Sequence, residues 1–234
     1  MENAPEVSVI IPCLDEAACA ASYGDALLAP LAGALPSHEV IFSDGGSADG
    51  TLDMLWQLAG SRPGVTALAG GRYSFRASLE RAVAAARGRY ILFMEADLSF
   101  DPADASRLLE AAKNADADCV CGSPFLGGFR GLPLPRRLLT WGANALLRLR
   151  FGRNVTSYTQ IFKLYRADKL KALRFETEGF ALDAELLIKF LRRGWKVTEV
   201  PVTMRARTAG VSKLAALRET SNCLKLLLRT DYRN

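Results

Sequence analysis

The chain has 234 residues, half of them hydrophobic and 24% charged, which excludes wholesale disorder and suits one sizeable α/β domain better than two. Its net charge of +5 conceals an asymmetry: residues 1–117 carry 8 Lys and Arg against 16 Asp and Glu, and residues 118–234 carry 22 against 9. An acidic half suited to holding a cation is followed by a basic half suited to phosphates or an anionic surface, or simply presenting a solvated basic face.

Residues 7–14 (VSVIIPCL) form a short β-branched apolar run, the pattern of a buried parallel strand. An alanine-rich helical stretch follows to about Leu35, then a strand at 39–43 (EVIFS), a helix at 51–59 and a short strand at 65–68. Residues 78–87 (SLERAVAAAR) read as helix and 90–94 (YILFM) as another strand. Pro102 opens a helix over 103–114, and 118–122 is the next strand. This alternation predicts a mostly parallel sheet with helices on both faces, which binds ligands beyond the carboxyl ends of its strands. The five cysteines are odd in number and lack CxxC spacing, so free thiols in a reducing cytosol are expected. Cys119 and Cys121 are expected on opposite faces of their strand, unable to share one metal ion. No run approaches the ~20 apolar residues needed to cross a bilayer, and no signal-peptide pattern opens the chain, so membrane association is expected to be peripheral.

Two strand ends carry candidate chemistry. The 39–43 strand runs into Ser43-Asp44-Gly45-Gly46-Ser47-Ala48-Asp49-Gly50-Thr51, where a carboxylate, glycines and helix-start polar residues suit a nucleotide base or ribose. The same residues also suit a tight turn with Ser47 or Asp49 capping the helix. The 90–94 strand ends in Glu95-Ala96-Asp97. A turn there can bring both carboxylates to one Mg²⁺ or Mn²⁺ bridging a diphosphate, the alternative being two exposed loop carboxylates.

These segments together resemble glycosyltransferase family 2, and within it the polyprenyl-phosphate (dolichyl-phosphate) mannose or glucose synthases. VSVIIPCLDEA is similar to the family's opening strand, SDGGSADGT to its DDGSxDGT nucleotide motif, and MEADLSFDP to its DADLQxxP metal motif. GFALDAELLIKFLRRGWKVTEVPV resembles the acceptor-side helix and strand, and RTAGVSKL the RxxGxSK segment. The resemblance implies a Rossmann-like nucleotide-diphospho-sugar transferase (GT-A type) fold filling 1–234, with a nucleotide-sugar and metal half at 1–122 and an acceptor and membrane half at 123–234. It implies that Pro12, Glu16 and Asp44 line the nucleotide pocket, that Glu95 and Asp97 hold the metal, and that Asp183 sits near the acceptor. Arg207 and Lys213 would clamp phosphates, the one as a bidentate fork and the other as a point charge. Asp183 also suits a first-turn helix charge. Gly45 replaces the motif's second aspartate, Glu95 the first metal aspartate, and Ser99 a frequent glutamine. Pro124 stands where an acceptor-binding arginine often follows Gly-Ser, and SYTQ at 157–160 replaces Asp-x-x-Ser-Gly.

The implied activity is an inverting, metal-dependent transfer of a hexose, mannose or glucose, from a GDP- or UDP-sugar to a polyprenyl phosphate. Transfer to a sugar hydroxyl, with Asp183 as base, and a catalytically impaired scaffold are the alternatives. Residues 132–151 (LPLPRRLLTWGANALLRLRF) mix Leu and Trp141 with four arginines, a basic amphipathic pattern suited to an anionic lipid surface at the cytoplasmic face. Arg218, Lys225 and Arg229 form a second basic stripe beside Leu217, Leu224 and Leu228. A membrane partner protein is a further expectation. Nucleic acid is not, since no recognition helix or aromatic platform accompanies the charge.

Overall fold

The computed structural model describes residues 4–70, 74–152, 154–179, 181–206 and 226–227. The strands are β1 (Val7–Cys13), β2 (His38–Asp44), β3 (Val65–Leu68), β4 (Tyr90–Phe93), β5 (Cys119–Ser123), β6 (Phe129–Arg130), β7 (Lys163–Arg166), β8 (Val197–Pro201) and β9 (Met204–Arg205). The helices are α1 (Ala17–Ala20), α2 (Ala29–Ala34), α3 (Thr51–Ser61), α4 (Phe75–Ala85), α5 (Ala105–Ala115), α6 (Pro124–Gly127), α7 (Leu134–Phe151), α8 (Ala167–Lys171) and α9 (Ala181–Arg192).

Seven strands form one sheet in the order β3-β2-β1-β4-β7-β5-β8, and β6 pairs with β9 in a small second sheet. Within the large sheet only β7 runs antiparallel to its neighbours, β4 and β5. The four-residue β7, with a lysine and an arginine at its ends, carries too short an apolar run to be read as a strand from sequence. Alternation along β1 shows how the layers form. Val7, Val9 and Ile11 enter one core with Tyr23, Leu27, Leu31 and Phe42. Ile10 enters the core on the other face with Leu79, Phe93, Leu147 and the α9 residues Leu186 and Ile188.

Two expectations change. The alanine-rich stretch is not one helix: α1 gives way to a π-helical turn at Gly24–Leu28 and then to α2, whose second residue is Pro30. Proline has no N–H to give the carbonyl four residues back, and glycine weakens a helix interior, so the ladder shifts register here. Cys119 and Cys121 do not point apart. Residues two apart on a strand share a face; both thiols enter the α9-side core while Val120 enters the other, and their Sγ atoms lie 3.9 Å apart.

The strand register brings the loops of interest to one edge. Pro12 pairs with Ser43, Cys13 with Asp44, and Ile10 with Phe93. Met94 N then donates to Ile10 O at 3.1 Å, so the loops after β1, β2 and β4 leave the sheet side by side.

Candidate active site

The loops after β1 and β2 are fastened to each other by side chains. Asp15 N donates to Ser47 Oγ at 2.7 Å, Ala48 N to Asp15 Oδ1 at 2.8 Å, Glu16 N to Thr51 Oγ1 at 2.7 Å and Ala17 N to Asp49 Oδ2 at 3.1 Å. Ser47 and Asp49 therefore tie the neighbouring loop as well as their own turn, and the N-cap of α3 is Gly50, at φ 89°. Asp44 is buried, and its carboxylate accepts from Gly46 N at 2.8 Å and Ser47 N at 3.1 Å. It holds the turn's shape from within. Pro12 and Glu16, both partly exposed, stand at the rim of this double loop. Gly70 presses on the same turn: a Cβ there would collide with the Asp44 carbonyl oxygen and lie 3.0 Å from Gly46 N.

The chain leaving β4 turns sharply, with Leu98 in the left-handed region at φ 56°. The turn is set by Asp97, which is buried and whose Oδ1 accepts from Ser99 N at 2.9 Å and Ser99 Oγ at 2.5 Å. Glu95 sits two residues earlier. Burial pushes its carboxyl well above the usual carboxylate range, and the charges of Asp97 and Asp183 push it further; Lys163 pulls the other way. Glu95, Asp97 and Asp183 thus form one electrostatic neighbourhood. Glu95 Oε2 is inaccessible to solvent and has no hydrogen-bond partner among the described residues.

The residues fit a hard divalent cation. The donors are carboxylate oxygens, one of them orphaned, and a cation offsets both the burial and the repulsion that lift Glu95. Among the described residues no group of three or more His, Cys, Asp or Glu side chains forms a metal cage. One or two carboxylates sharing such an ion with substrate oxygens and water is the usual arrangement for Mg²⁺.

Asp183 is fully buried in the first turn of α9. Two other α9 residues, with no accessible surface, hold the loop that leads into that turn. Glu185 accepts from Glu176 N at 3.1 Å, and from Thr177 N and Thr177 Oγ1, each at 2.6 Å. Lys189 Nζ reaches Glu185 Oε1 at 2.7 Å, Glu176 Oε2 at 2.6 Å and Arg174 O at 2.7 Å. Glu178 in the same loop accepts from Ser74 Oγ at 2.8 Å and Arg76 Nε at 3.2 Å, joining it to the start of α4.

Lys163 is a further residue, one that motif reading placed after the 157–160 segment but gave no role. It begins β7 opposite Phe93, is fully buried, and gives its Nζ to the carbonyls of Tyr158 and Gln160. That 158–160 segment is held in turn by buried Asn144 of α7, whose Oδ1 accepts from Tyr158 N at 2.7 Å and whose Nδ2 donates to Thr159 Oγ1 at 2.9 Å. A lone lysine inside a short strand carried no sequence signal beyond its charge. Arg205 was also missed: its N donates to Ser99 O at 2.8 Å, binding β9 to the carboxylate turn. Arg207 and Lys213, and the stripe at Leu217, Arg218, Leu224, Lys225, Leu228 and Arg229, lie outside the described residues.

The model of the family described as Glycosyl transferase family 2 matches residues 8–174, which includes both strand-end motifs. An undecaprenyl-phosphate mannosyltransferase of Micrococcus luteus is 32% identical over 202 residues, 80% of each chain. A polyprenol monophosphomannose synthase of Mycolicibacterium smegmatis is 30% identical over 194 residues, 78% of this chain and 72% of that one. Among solved structures, glucosyl-3-phosphoglycerate synthase from Mycobacterium tuberculosis, in complex with Mn²⁺, UDP and glucosyl-3-phosphoglycerate, superposes with a TM-score of 0.71 at 22% identity, covering 95% of this chain and 77% of that one. That likeness shows the shared GT-A fold. On the matched motifs, the sheet order and two relatives at 30% identity or more, the chain belongs to glycosyl transferase family 2.

Proposed function

We propose that the protein transfers a hexose from a nucleotide diphosphate sugar to a polyprenyl phosphate, with inversion at the anomeric carbon. The observation that carries this reading is the carboxylate neighbourhood of Glu95, Asp97 and Asp183 at the sheet edge, beside the double loop after β1 and β2. The acceptor class rests on the names of the two curated relatives, both of which are mannose transferases to polyprenyl carriers.

In this reading residues 1–122 handle the donor and cation, and residues 123–234 handle the acceptor and membrane, as one catalytic unit. Pro12, Glu16 and the turn shaped by Asp44 receive the base and ribose. Glu95 and Asp97 hold Mg²⁺ or Mn²⁺, which when bound supplies positive charge to the departing nucleoside diphosphate. Ser99 keeps the Asp97 carboxylate in its rotamer. Arg207 and Lys213 add fixed positive charge for phosphate oxygens. An oxygen of the acceptor phosphate attacks the anomeric carbon, and the bond to the nucleoside diphosphate breaks with its electron pair leaving on oxygen. A phosphate monoester has a second pKa near ~6 and is mostly dianionic at neutral pH, so no strong general base is needed. Asp183 then borders the acceptor as a positioning charge. No helix among the described residues is long and apolar enough to cross a membrane. Because the proposed acceptor is a membrane lipid, we propose that the enzyme meets it peripherally, at the cytoplasmic face.

The test is calorimetric titration of GDP and of UDP, with and without Mn²⁺, on the wild type and Asp97→Ala. One nucleotide is expected to bind in a metal-dependent way, and the variant to lose that binding. Failure of both nucleotides under every metal condition refutes the donor site. Turnover with undecaprenyl phosphate that survives Asp183→Asn supports the phosphate acceptor. A wild type that leaves undecaprenyl phosphate untouched but glycosylates a sugar hydroxyl, with that turnover abolished by Asp183→Asn in a variant that still binds nucleotide, assigns Asp183 as base for a hydroxyl acceptor instead.

A further inference from the structure

The helix α7 (Leu134–Phe151) packs inward through Asn144 and Leu147, the buried residues of its 18. Its outward side is unusually apolar. Leu134, Leu138, Leu139, Trp141, Leu146 and Leu149 are all at least half exposed, and Leu149 reaches 73%. At the ~100° per residue of an α-helix, these six fall on one arc of roughly 160°, directly opposite the inner face. Isolated exposed leucines are ordinary on soluble proteins; six on one contiguous helix face mark a binding surface.

The charges are placed as systematically as the leucines. Arg136 and Arg150 line one margin of the apolar arc, and Arg137 and Arg148 line the other. The helix contains no Asp or Glu. None of the four arginines forms an ion pair with another described residue, although the guanidinium groups of Arg137 and Arg150 lie 5.8 Å and 5.1 Å from the rings of Phe129 and Phe151. An apolar stripe with a tryptophan, bordered on both sides by unneutralised arginines, is the profile of a helix lying flat in a lipid interface.

We infer that the outer face of α7 docks the protein on an anionic bilayer, with the leucines and Trp141 in the acyl boundary and the four arginines at headgroup level. A second copy of the chain fits this face poorly. A two-fold contact sets a patch against itself, and here it opposes arginine margins with no acidic residue on either helix to balance them. An anionic headgroup layer supplies that balance along both margins at once. The inference deepens the lipid-acceptor reading and rests on it for why the protein meets a membrane at all.

The experiment is co-sedimentation of the full chain with vesicles of phosphatidylcholine alone and of equal parts phosphatidylcholine and phosphatidylglycerol, at low and high salt. Strong binding is expected to the mixed vesicles alone, weakening as salt rises. Leu138→Glu/Leu149→Glu is expected to weaken it by at least tenfold, and Arg136→Gln/Arg148→Gln by about 25-fold, from roughly fivefold for each of the two lost cations. Both variants are to be checked for wild-type circular dichroism and nucleotide affinity, so that loss of docking is separable from loss of fold or of the donor site. Wild type that ignores the mixed vesicles, or Leu138→Glu/Leu149→Glu that binds them as tightly as wild type, overturns the inference. So does a concentration-dependent dimer in analytical ultracentrifugation that the same double change abolishes. Vesicle binding without nucleotide binding leaves the docking face standing and fails the transferase reading instead.

Discussion

Replacing Lys189 by methionine is expected to be among the most damaging single changes outside the carboxylate turn. The methionine keeps most of the aliphatic stem and removes three contacts, to Glu185 Oε1, Glu176 Oε2 and Arg174 O, all at 2.6–2.7 Å. Glu185 has no exposed surface, so it is left as a buried carboxylate held by the amides of Glu176 and Thr177 and the Thr177 hydroxyl, without a countercharge. Breaking a buried pair from one side costs about 3–5 kcal/mol, a third or more of a typical domain's stability. Removing both charges is different. In Glu185→Gln/Lys189→Met the amide oxygen still accepts from the loop and no buried charge is stranded, so the cost falls to about 1–2 kcal/mol. The assay is urea unfolding of the wild type, both single variants and the double, followed by circular dichroism. The expected signature is a coupling energy of about 2 kcal/mol or more, the double being far less damaged than the sum of the singles. A Lys189→Met cost below about 1 kcal/mol, or strictly additive singles, refutes the claim that this pair is what holds residues 174–178 on α9.

Three further outcomes follow from contacts at the sheet edges. Ser99→Ala removes the shorter of two hydrogen bonds on Asp97 Oδ1 and leaves the backbone one; Mn²⁺ affinity in the presence of nucleotide is expected to fall about tenfold, and unchanged affinity shows that Ser99 does not orient Asp97. Gly70→Ala drives a Cβ into the Asp44 carbonyl, with an expected cost of about 1–3 kcal/mol and weaker nucleotide binding; wild-type thermal stability contradicts the close approach. At the opposite edge, burial alone raises the Glu39 carboxyl, but hydrogen bonds from Ser8 Oγ and from the Arg87 amide and guanidinium outweigh it and hold it below the usual range. A carboxyl lowered by folding adds stability above its unfolded pKa of ~4.3, and that stability disappears as pH falls through the folded value. Glu39→Gln is expected to lose about 1–2 kcal/mol at pH 7, with a flatter decline below pH 5 than wild type; parallel pH–stability curves for the two proteins contradict the linkage.

Much of the first half was legible because its signals are local. The β1, β2 and β4 runs are apolar and β-branched, and the polar segments that close them announce where a ligand edge lies. Asp97 and Glu95 stood out as candidates because their spacing at a strand end is itself a pattern. The sequence marked Asp44 as a residue of the nucleotide loop, but not that its carboxylate also accepts from Gly46 N and Ser47 N and so shapes the turn. Sequence gives the position of such a side chain but not its rotamer. What stayed hidden depends on contacts between distant residues. Lys163 gains its place only because β7 runs antiparallel between β4 and β5, a pairing no local pattern encodes. Glu185 and Lys189 look like an ordinary exposed helix pair four residues apart, until the 174–178 loop closes over them. The cysteine reading failed for another reason: positions two apart on a strand lie on the same side, and Cys119 and Cys121 obey that rule.

The inner face of α7 is far less replaceable than its outer one. Asn144 both gives and receives, through Thr140 O and Thr159 Oγ1 on one side and the amides of Tyr158 and Thr159 on the other. Aspartate lacks the donors, leucine lacks everything, and glutamine is a methylene too long for a buried slot. The exterior of the same helix makes no such demands. Its leucines can be exchanged for other apolar residues, and Arg136 and Arg150 for lysines, without touching the segment that cradles Lys163. For engineering, α7 is a cassette on two fixed pins: a designer can retune which surface the enzyme settles on, provided Asn144 and Leu147 are left alone.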